Sequence, residues 1–177
     1  MKTIGVLIFL FGFFSIYVDA QQTAVLNINL YPIQIIEVNS PGITVDMDYR
    51  TVEDYKNGVN TTMQDQLKIF STAGFAINVK SESATLTNPN SAEKINAEDI
   101  TLTALPGTTN SLEGFNATPI VLSNVATQLL SSTVGGANKT VSLNYAGKGN
   151  NSYIDQQSSS KSVTTYTTQL TFSIEPT

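Results

Sequence analysis

The sequence predicts an all-β protein, an immunoglobulin-like β-sandwich of seven to nine mostly antiparallel strands. Apolar and polar residues alternate at a period of two along most of the chain, as in strands with one buried face. Clusters of Gly, Pro, Asn and Ser separate these alternating stretches. No long stretch has the 3.6-residue period of an amphipathic helix, and short strands separated by turn residues are typical of sandwiches and barrels.

The first apolar stretch differs from the later ones. Ile4–Val18 follows a single positive charge at Lys2, and Val18-Asp19-Ala20 has the small residues of a signal-peptidase site. The run is shorter than the roughly 20 residues that a membrane-spanning helix needs. We therefore expect residues 1–20 to be a cleaved secretory signal peptide, with no transmembrane segment after cleavage.

An N-terminal extension, residues 21–31, is expected to precede a single β-sandwich domain, residues 32–177. The extension alternates regularly and stops at Tyr31-Pro32, where the proline fixes φ and removes a ladder donor. Its apolar positions are Ala24, Leu26, Ile28 and Leu30.

The middle of the chain continues the pattern with one interruption. Ile43–Tyr49 alternates and predicts a half-buried strand. Residues 51–62 break the alternation and predict either a helical turn ending near Asn57-Gly58 or a loop. Residues 66–81 predict a β-hairpin with its turn at Thr72-Ala73-Gly74.

The second half of the chain predicts at least three more strands. Residues 99–105 alternate up to Pro106-Gly107, and residues 141–145 alternate again. Between them, residues 120–132 fit either a strand with a short helix or two short strands. A polar loop, residues 147–162, leads to the last strand, residues 163–176. One face of this strand carries Tyr166, Thr168, Leu170, Phe172 and Ile174.

The amino-acid composition argues against several classes of function. The chain has no His and no Cys, which excludes the usual zinc and copper sites, His-based nucleophile activation and any disulfide. Its formal net charge is −5 and its lysines are scattered, which argues against nucleic-acid binding. We therefore predict no cofactor and no enzymatic activity.

A few residues could still carry binding chemistry. Asp46 and Asp48 share one strand face and could serve a Ca²⁺ site or a glycosidase pair. The D-x-D spacing has little specificity, so solvated surface charge is the favoured interpretation. Most strand tyrosines are in phase with core positions, whereas Tyr153 lies in the polar loop. It is the best candidate for an exposed contact, for example with carbohydrate.

The two end segments are the most regular in the chain, and both have a strong apolar face. In a self-contained sandwich, each would fill its share of the core. In an assembly, the first segment would instead insert into a neighbouring subunit and add main-chain hydrogen bonds there. Such a donor needs apolar residues at alternate positions and a break that lets it point away, and the N-terminal extension has both.

In this organisation the chain resembles subunits of bacterial chaperone–usher fimbriae, especially the disulfide-free kind of coli surface fimbriae. The shared features are a signal peptide, an alternating segment ending at a proline, a Thr/Asn/Ser-rich β domain and an alternating C-terminal strand. The chain departs from classical pilins in lacking a disulfide, a tyrosine second from the end and a glycine in the donor segment.

The resemblance implies roles and partners. Ala24, Leu26, Ile28 and Leu30 would be donor-strand positions, and the edge of the acceptor groove would be formed by Tyr166, Leu170, Phe172 and Ile174. Partners would be homologous subunits, a periplasmic chaperone and an outer-membrane usher, and the protein would reach the cell surface via the periplasm. We thus expect a structural subunit of a secreted fimbria that polymerises by strand complementation. The alternative is a self-contained secreted binding module for carbohydrate, cell wall or host-surface adhesion.

Overall fold

The computed structural model describes residues 21–39, 43–157 and 162–177. The expected signal peptide, residues 1–20, lies outside the described residues. Residues 21–30 carry no regular secondary structure, and each of them is exposed to solvent. Tyr31–Thr177 forms a separate unit that contains all the helices and strands given below.

Strands account for most of the regular structure, which confirms the predicted all-β class. The described residues form eleven strands, more than the expected seven to nine, because several are only two or three residues long. In chain order they are β1 (Gln34–Val38), β2 (Asn60–Ser71), β3 (Phe75–Ser81), β4 (Thr85–Thr87), β5 (Lys94–Asn96), β6 (Ile100–Pro106), β7 (Asn116–Ala117), β8 (Ile120–Val121), β9 (Thr127–Ser132), β10 (Gly136–Gly147) and β11 (Leu170–Pro176).

Two larger sheets form the layers of a β-sandwich. The first has the strand order β1-β2-β10-β6-β8, and the second has the order β11-β3-β9-β7. All of these strand pairs are antiparallel. A separate two-stranded ribbon pairs β4 with β5.

The core lies between the inward faces of the two larger sheets. Alternate residues of the central strands are buried there, because a strand directs successive side chains to opposite faces. The fully buried set includes Leu67, Ile69, Phe75, Ile77, Leu102, Leu130, Val141 and Leu143. Burial of these side chains is the main source of stability, since the chain has no disulfide.

Residues 51–58 adopt the helical turn rather than the loop. Helix α1 spans Val52–Asn57 and begins with a capping box, in which the Thr51 hydroxyl accepts from the Asp54 N–H and the Asp54 carboxylate accepts from the Thr51 N–H. It ends at Gly58, whose φ of 82° suits glycine. A Cβ at this position would also collide with the Gly147 carbonyl oxygen. Short 3₁₀ turns occur at Ala97–Asp99 and Ile154–Gln156.

Two strand predictions made from alternation were wrong. Residues 66–81 do not form a hairpin, because β2 and β3 lie in different sheets and the chain crosses between the layers at residues 72–74. Residues 43–49 form no strand, although Val45 and Met47 do pack against the core. A period of two identifies the buried face of a segment but not the strand that pairs with it.

Two other segments differ from the prediction in extent. Residues 120–132 form the two short strands β8 and β9, one of the two options that the sequence left open. The final strand begins at Leu170 rather than near Val163. Before it, Thr167 makes a single antiparallel bridge with Thr87 at the end of β4. The chain is therefore held by the small ribbon before it joins β3.

Candidate functional site

The inward face of β11 is only half covered. Phe172 lies opposite Val79 on β3, and Ile174 lies opposite Ile77. Val79 and Ile77 are 2% and 0% exposed, whereas Phe172 and Ile174 are half-buried. β11 is the outermost strand of its sheet, so its side chains have a neighbouring strand on one side only, whereas those of β3 have one on each side. The sandwich therefore lacks a neighbour on the outer side of β11.

The inward-facing residues of β1 are likewise more exposed than their partners on β2. Val38 is 38% exposed, although Leu67, its partner on β2, is fully buried. Ile36 is half-buried, although its partner Ile69 is fully buried. A second edge of the core is thus incompletely covered.

These two strands lie side by side. Each is the outermost strand of its sheet, and they approach one another across the two layers without forming a ladder. We call the line along which these two edges meet the open seam. Its apolar residues are Ile36, Val38, Leu170, Phe172 and Ile174. The seam combines apolar side chains with strand edges that no other strand covers in the described ranges, which is the arrangement an added strand requires.

The predicted donor positions are all exposed. Leu26, Ile28 and Leu30 are 87%, 77% and 88% exposed, and Ala24 is exposed as well. Exposed large apolar residues at alternate positions form a strip that water solvates poorly. This strip is an apolar surface of the N-terminal extension itself.

Three of the four predicted groove residues lie together, and the fourth lies elsewhere. Leu170, Phe172 and Ile174 occupy alternate positions on the inward face of β11. Tyr166 precedes the strand, and its hydroxyl donates to the Gln156 carbonyl oxygen over 2.7 Å. Its alternation with β11 in sequence therefore does not place it in the same ladder.

Sequence reasoning did not identify the opposite side of the seam. In the sequence, Ile36 and Val38 form only a short apolar alternation after Pro32. Their role at the edge depends on β1 pairing with β2, which joins residues more than 25 positions apart. The apolar alternation of residues 36 and 38 was the available signal, but it did not indicate an edge position.

The two carboxylates of the D-x-D pair, Asp46 and Asp48, are surface groups. Asp46 and Asp48 are both exposed, and Asp48 forms an ion pair with Arg50. No group of three potential metal-ligating side chains occurs within residues 21–39, 43–157 and 162–177.

Tyr153 is packed rather than freely exposed. Its ring meets the Tyr49 ring edge-on at a centroid distance of 5.1 Å, and the centroid of the Tyr55 ring lies 5.4 Å from that of the Tyr49 ring. Burial raises the pKa of Tyr49 to about 12 and also raises the pKa of Tyr153. Both hydroxyls therefore stay protonated at neutral pH, and the cluster holds the loop after β10 in place.

No family model matches the chain, and no curated protein is significantly similar to it. Among the described residues, no helix has the length and apolar character needed to cross a bilayer.

Proposed function

We propose that the protein is a structural subunit of a secreted surface fimbria, or a similar cell-surface assembly, that polymerises by β-strand complementation. The half-covered open seam is the observation that supports this most directly. A strand inserted there would cover Val38 on one side and Phe172 on the other. It would also pair with the backbone edge of a flanking strand.

The N-terminal extension has the properties that the seam requires of its occupant. It carries no charged residue between Gln21 and Tyr31. Its apolar positions, Ala24 to Leu30, span as many residues as β11 and alternate at the same period. Asn27 and Asn29 would then face outward, where their amides remain solvated.

The free energy gained by burying the apolar side chains of the extension is comparable with the cost of association. Full burial of one Leu or Ile side chain contributes about 1.5–3 kcal/mol. Leu26, Ile28 and Leu30 would together contribute about 5–9 kcal/mol on that scale. Backbone hydrogen bonds add roughly 0.5–1.5 kcal/mol each, against an association cost of about 4–15 kcal/mol.

We infer that the inserted strand comes from another copy. Only Pro32 and Ile33 separate the extension from β1. A tight hairpin of this length favours Gly, Asn or Asp at the positions with positive φ, and the link contains none of them. Exchange between copies avoids that turn, and it joins subunits head to tail.

The partners and the export route are proposed from the resemblance to chaperone–usher subunits. The open seam would have to be covered before assembly, which is the role of a periplasmic chaperone in that family. Assembly at an outer-membrane usher would follow export under the signal peptide. Bare apolar edges otherwise lead to uncontrolled aggregation, so such protection has a physical basis.

The test compares the mature chain, which begins at Gln21, with a self-complemented variant. In this variant, residues 32–177 are followed by a short Gly/Ser linker and a copy of residues 21–31. We expect the mature chain to form a ladder of oligomers in size-exclusion chromatography with light scattering. The self-complemented variant should be a monomer with a higher melting temperature than residues 32–177 alone.

Two substitutions in the mature chain provide a matched pair. Ile28→Asp should abolish oligomers, because a carboxylate would have to enter the apolar seam. Asn27→Asp adds the same charge on the opposite face and should leave the oligomers intact. A mature chain that is monomeric and as stable as the self-complemented variant would refute the proposal. If deletion of residues 21–31 also unfolded that monomer, the self-contained binding module would be the correct function.

A further inference from the structure

The backbone groups on the free edge of β1 can be located from its ladder with β2. In an antiparallel pair, successive residues direct their N–H and C=O groups to alternate sides of the strand. The Thr72 N–H donates to the Ile33 carbonyl oxygen, just before β1. The Asn39 N–H donates to the Gln66 carbonyl oxygen, just after it. Odd-numbered residues therefore bond to β2, and the even-numbered residues of β1 turn their backbone groups to the free edge.

The free edge of β11 follows from the same rule. Its ladder with β3 continues past the end of the strand, where the Thr177 N–H donates to the Gly74 carbonyl oxygen. Odd-numbered residues of β11 therefore bond to β3. Leu170, Phe172 and Ile174 turn their backbone groups to the free edge while their side chains pack against the core.

Of the two edges, that of β11 suits an added apolar strand better. β11 has seven residues, whereas β1 has five. The even-numbered residues of β11 before its last position are all large and apolar, whereas those of β1 include Gln34. Pro176, the last even-numbered residue of β11, has no N–H and ends the run of available donors. The edge of β11 therefore fits a short strand with three large apolar positions.

One end of the sandwich is bridged between the two sheets. At this end, which we call the crossover end, residues 72–74 pass from the first sheet to the second. The start of β1 and the end of β11 both lie here, paired with Ser71 and Phe75 respectively. The Gln34 side chain spans the gap between the sheets, since its Nε2 donates to the Gly74 carbonyl oxygen over 3.4 Å. This bridge favours entry of an added strand from the opposite end.

The end at which the extension enters a neighbour decides what kind of assembly forms. The extension starts from the crossover end of its own copy, because Ile33 is bonded to Thr72 there. Entry at the crossover end of the neighbour would make two copies face each other, so that mutual exchange closes a two-fold dimer. Entry at the opposite end leaves all copies facing the same way, and each copy then accepts one strand and donates another. Since the N-terminus enters first, the extension would run opposite to β11.

We propose that the extension enters its neighbour opposite the crossover end and lies antiparallel to β11, with Ile28 directly opposite Phe172. This inference rests on the proposed function and specifies the direction and register of the inserted strand. Leu30 then lies opposite Leu170, nearest the point of entry. Both pairs direct their backbone groups at one another, so each pair exchanges two N–H···O bonds.

The register also accounts for the far end of the extension. Leu26 lies opposite Ile174, which completes three pairs of large apolar residues on the inward face. Ala24, the smallest apolar residue of the extension, lies opposite Pro176, where β11 has no N–H to offer. A shift by two residues in either direction would leave a large apolar residue without an apolar partner of its own size.

Disulfide cross-linking measures both direction and register, because the chain has no cysteine of its own. In the proposed register, Asn29 lies opposite Thr171 and Asn27 lies opposite Ser173, and all four are exposed. Opposite residues that share no backbone hydrogen bonds have Cα atoms about 4.5 Å apart, within reach of a disulfide. The mature chain with Asn29→Cys and Thr171→Cys, or with Asn27→Cys and Ser173→Cys, should therefore give a covalent ladder on a non-reducing gel. The ladder should collapse to monomer when a reductant is added.

The matched control exchanges the partners, combining Asn29→Cys with Ser173→Cys and Asn27→Cys with Thr171→Cys. These diagonal pairs would be about 7–8 Å apart, so they should cross-link roughly tenfold less. Preferred cross-linking of the exchanged pairs would overturn the inference, because it would mean a parallel or shifted strand. Oligomers in which no pair cross-links would also overturn it, and both results would leave strand complementation itself intact. A mature chain that forms no oligomers before oxidation would instead refute the proposed function and this inference together.

Discussion

Asp65 shows how a single residue joins a loop to the sandwich. It lies in β2 with a left-handed φ of 51°, where the register between β2 and β10 shifts. Its carboxylate accepts hydrogen bonds from the Thr108 N–H, the Thr108 hydroxyl and the Thr109 N–H. The irregularity in β2 therefore directs an acceptor at the loop that follows β6.

This arrangement predicts a pH-dependent effect of Asp65→Asn. Burial raises the pKa of the Asp65 carboxyl, but the hydrogen bonds from Thr108 and Thr109 outweigh burial and hold its pKa below the usual value. The charged form thus stabilises the fold at neutral pH. Its contribution is lost as the pH falls below about 4, where the carboxyl of the unfolded chain is already protonated.

We expect Asp65→Asn to lower the free energy of unfolding by about 1 kcal/mol at pH 7. Asparagine tolerates the same left-handed φ, so the change tests the charge rather than the backbone. The difference from wild type should shrink progressively below about pH 4. Urea unfolding of the self-complemented variant at several pH values measures this. A difference that grows in acid would contradict it, and Asp46→Asn, at an exposed carboxylate, is the control.

At the scale of elements, α1 is stabilised by its ends and not by the core. None of its residues is buried, and its ends are held by the Thr51–Asp54 capping box and by the Gly58 N–H that donates to the Asp54 carbonyl oxygen. The Asn150 and Asn151 N–H groups of the loop after β10 also donate to carbonyl oxygens of its last turn. Two acidic residues in the first turn and Lys56 in the last also suit the helix dipole. The helix should therefore open together with the loop after β10 and independently of the sheets.

Thr51→Ala tests this independence. Loss of the cap should cost the helix about 1 kcal/mol, so amide hydrogen exchange across residues 54–58 should become roughly fivefold faster. The global free energy of unfolding should change by less than about 0.5 kcal/mol, because no core contact is lost. Thr44→Ala, at an exposed position without a cap, should change neither measurement. A loss of global stability above that limit would show that α1 and the sheets unfold together.

At the scale of the whole molecule, the two sides of the sandwich are covered unequally. Central strands bury their inward residues completely, whereas those of β1 and β11 remain half exposed. The contribution of a seam residue to stability should therefore depend on whether the seam is filled. Residues in the middle of the sheets should contribute equally in both states.

Phe172→Ala measures this dependence. In the self-complemented variant it should cost about 3–5 kcal/mol, as expected for a fully buried phenylalanine. In residues 32–177 alone it should cost at least about 1 kcal/mol less, because the ring is already partly solvated. Val79→Ala, the buried neighbour on β3, should cost the same in both chains. Equal costs for Phe172→Ala in the two chains would mean that the added strand does not cover the seam.

The alternation of apolar and polar residues predicted which face of a strand is buried. It predicted less well which strands pair with one another. The alternation through Leu102 and through Leu143 corresponds to the inward faces of β6 and β10. The alternation in residues 43–49 predicted a strand that does not form, because a buried face does not specify a pairing partner. The alternation in residues 66–81 likewise did not reveal that β2 and β3 belong to different sheets. Tyr166 was grouped with β11 by its period, although the chain bridges to β4 before it joins the second sheet. Such long-range choices depend on packing between distant segments.

The flank opposite the seam ends in β8 and β7, each only two residues long. Prolines at positions 106 and 119 lie near these strands, and proline at a sheet margin discourages further backbone pairing. A strand of two residues is too short to pair stably with a strand of a third molecule at this edge. Copies linked end to end would consequently grow as unbranched threads, without lateral fusion into broad ribbons.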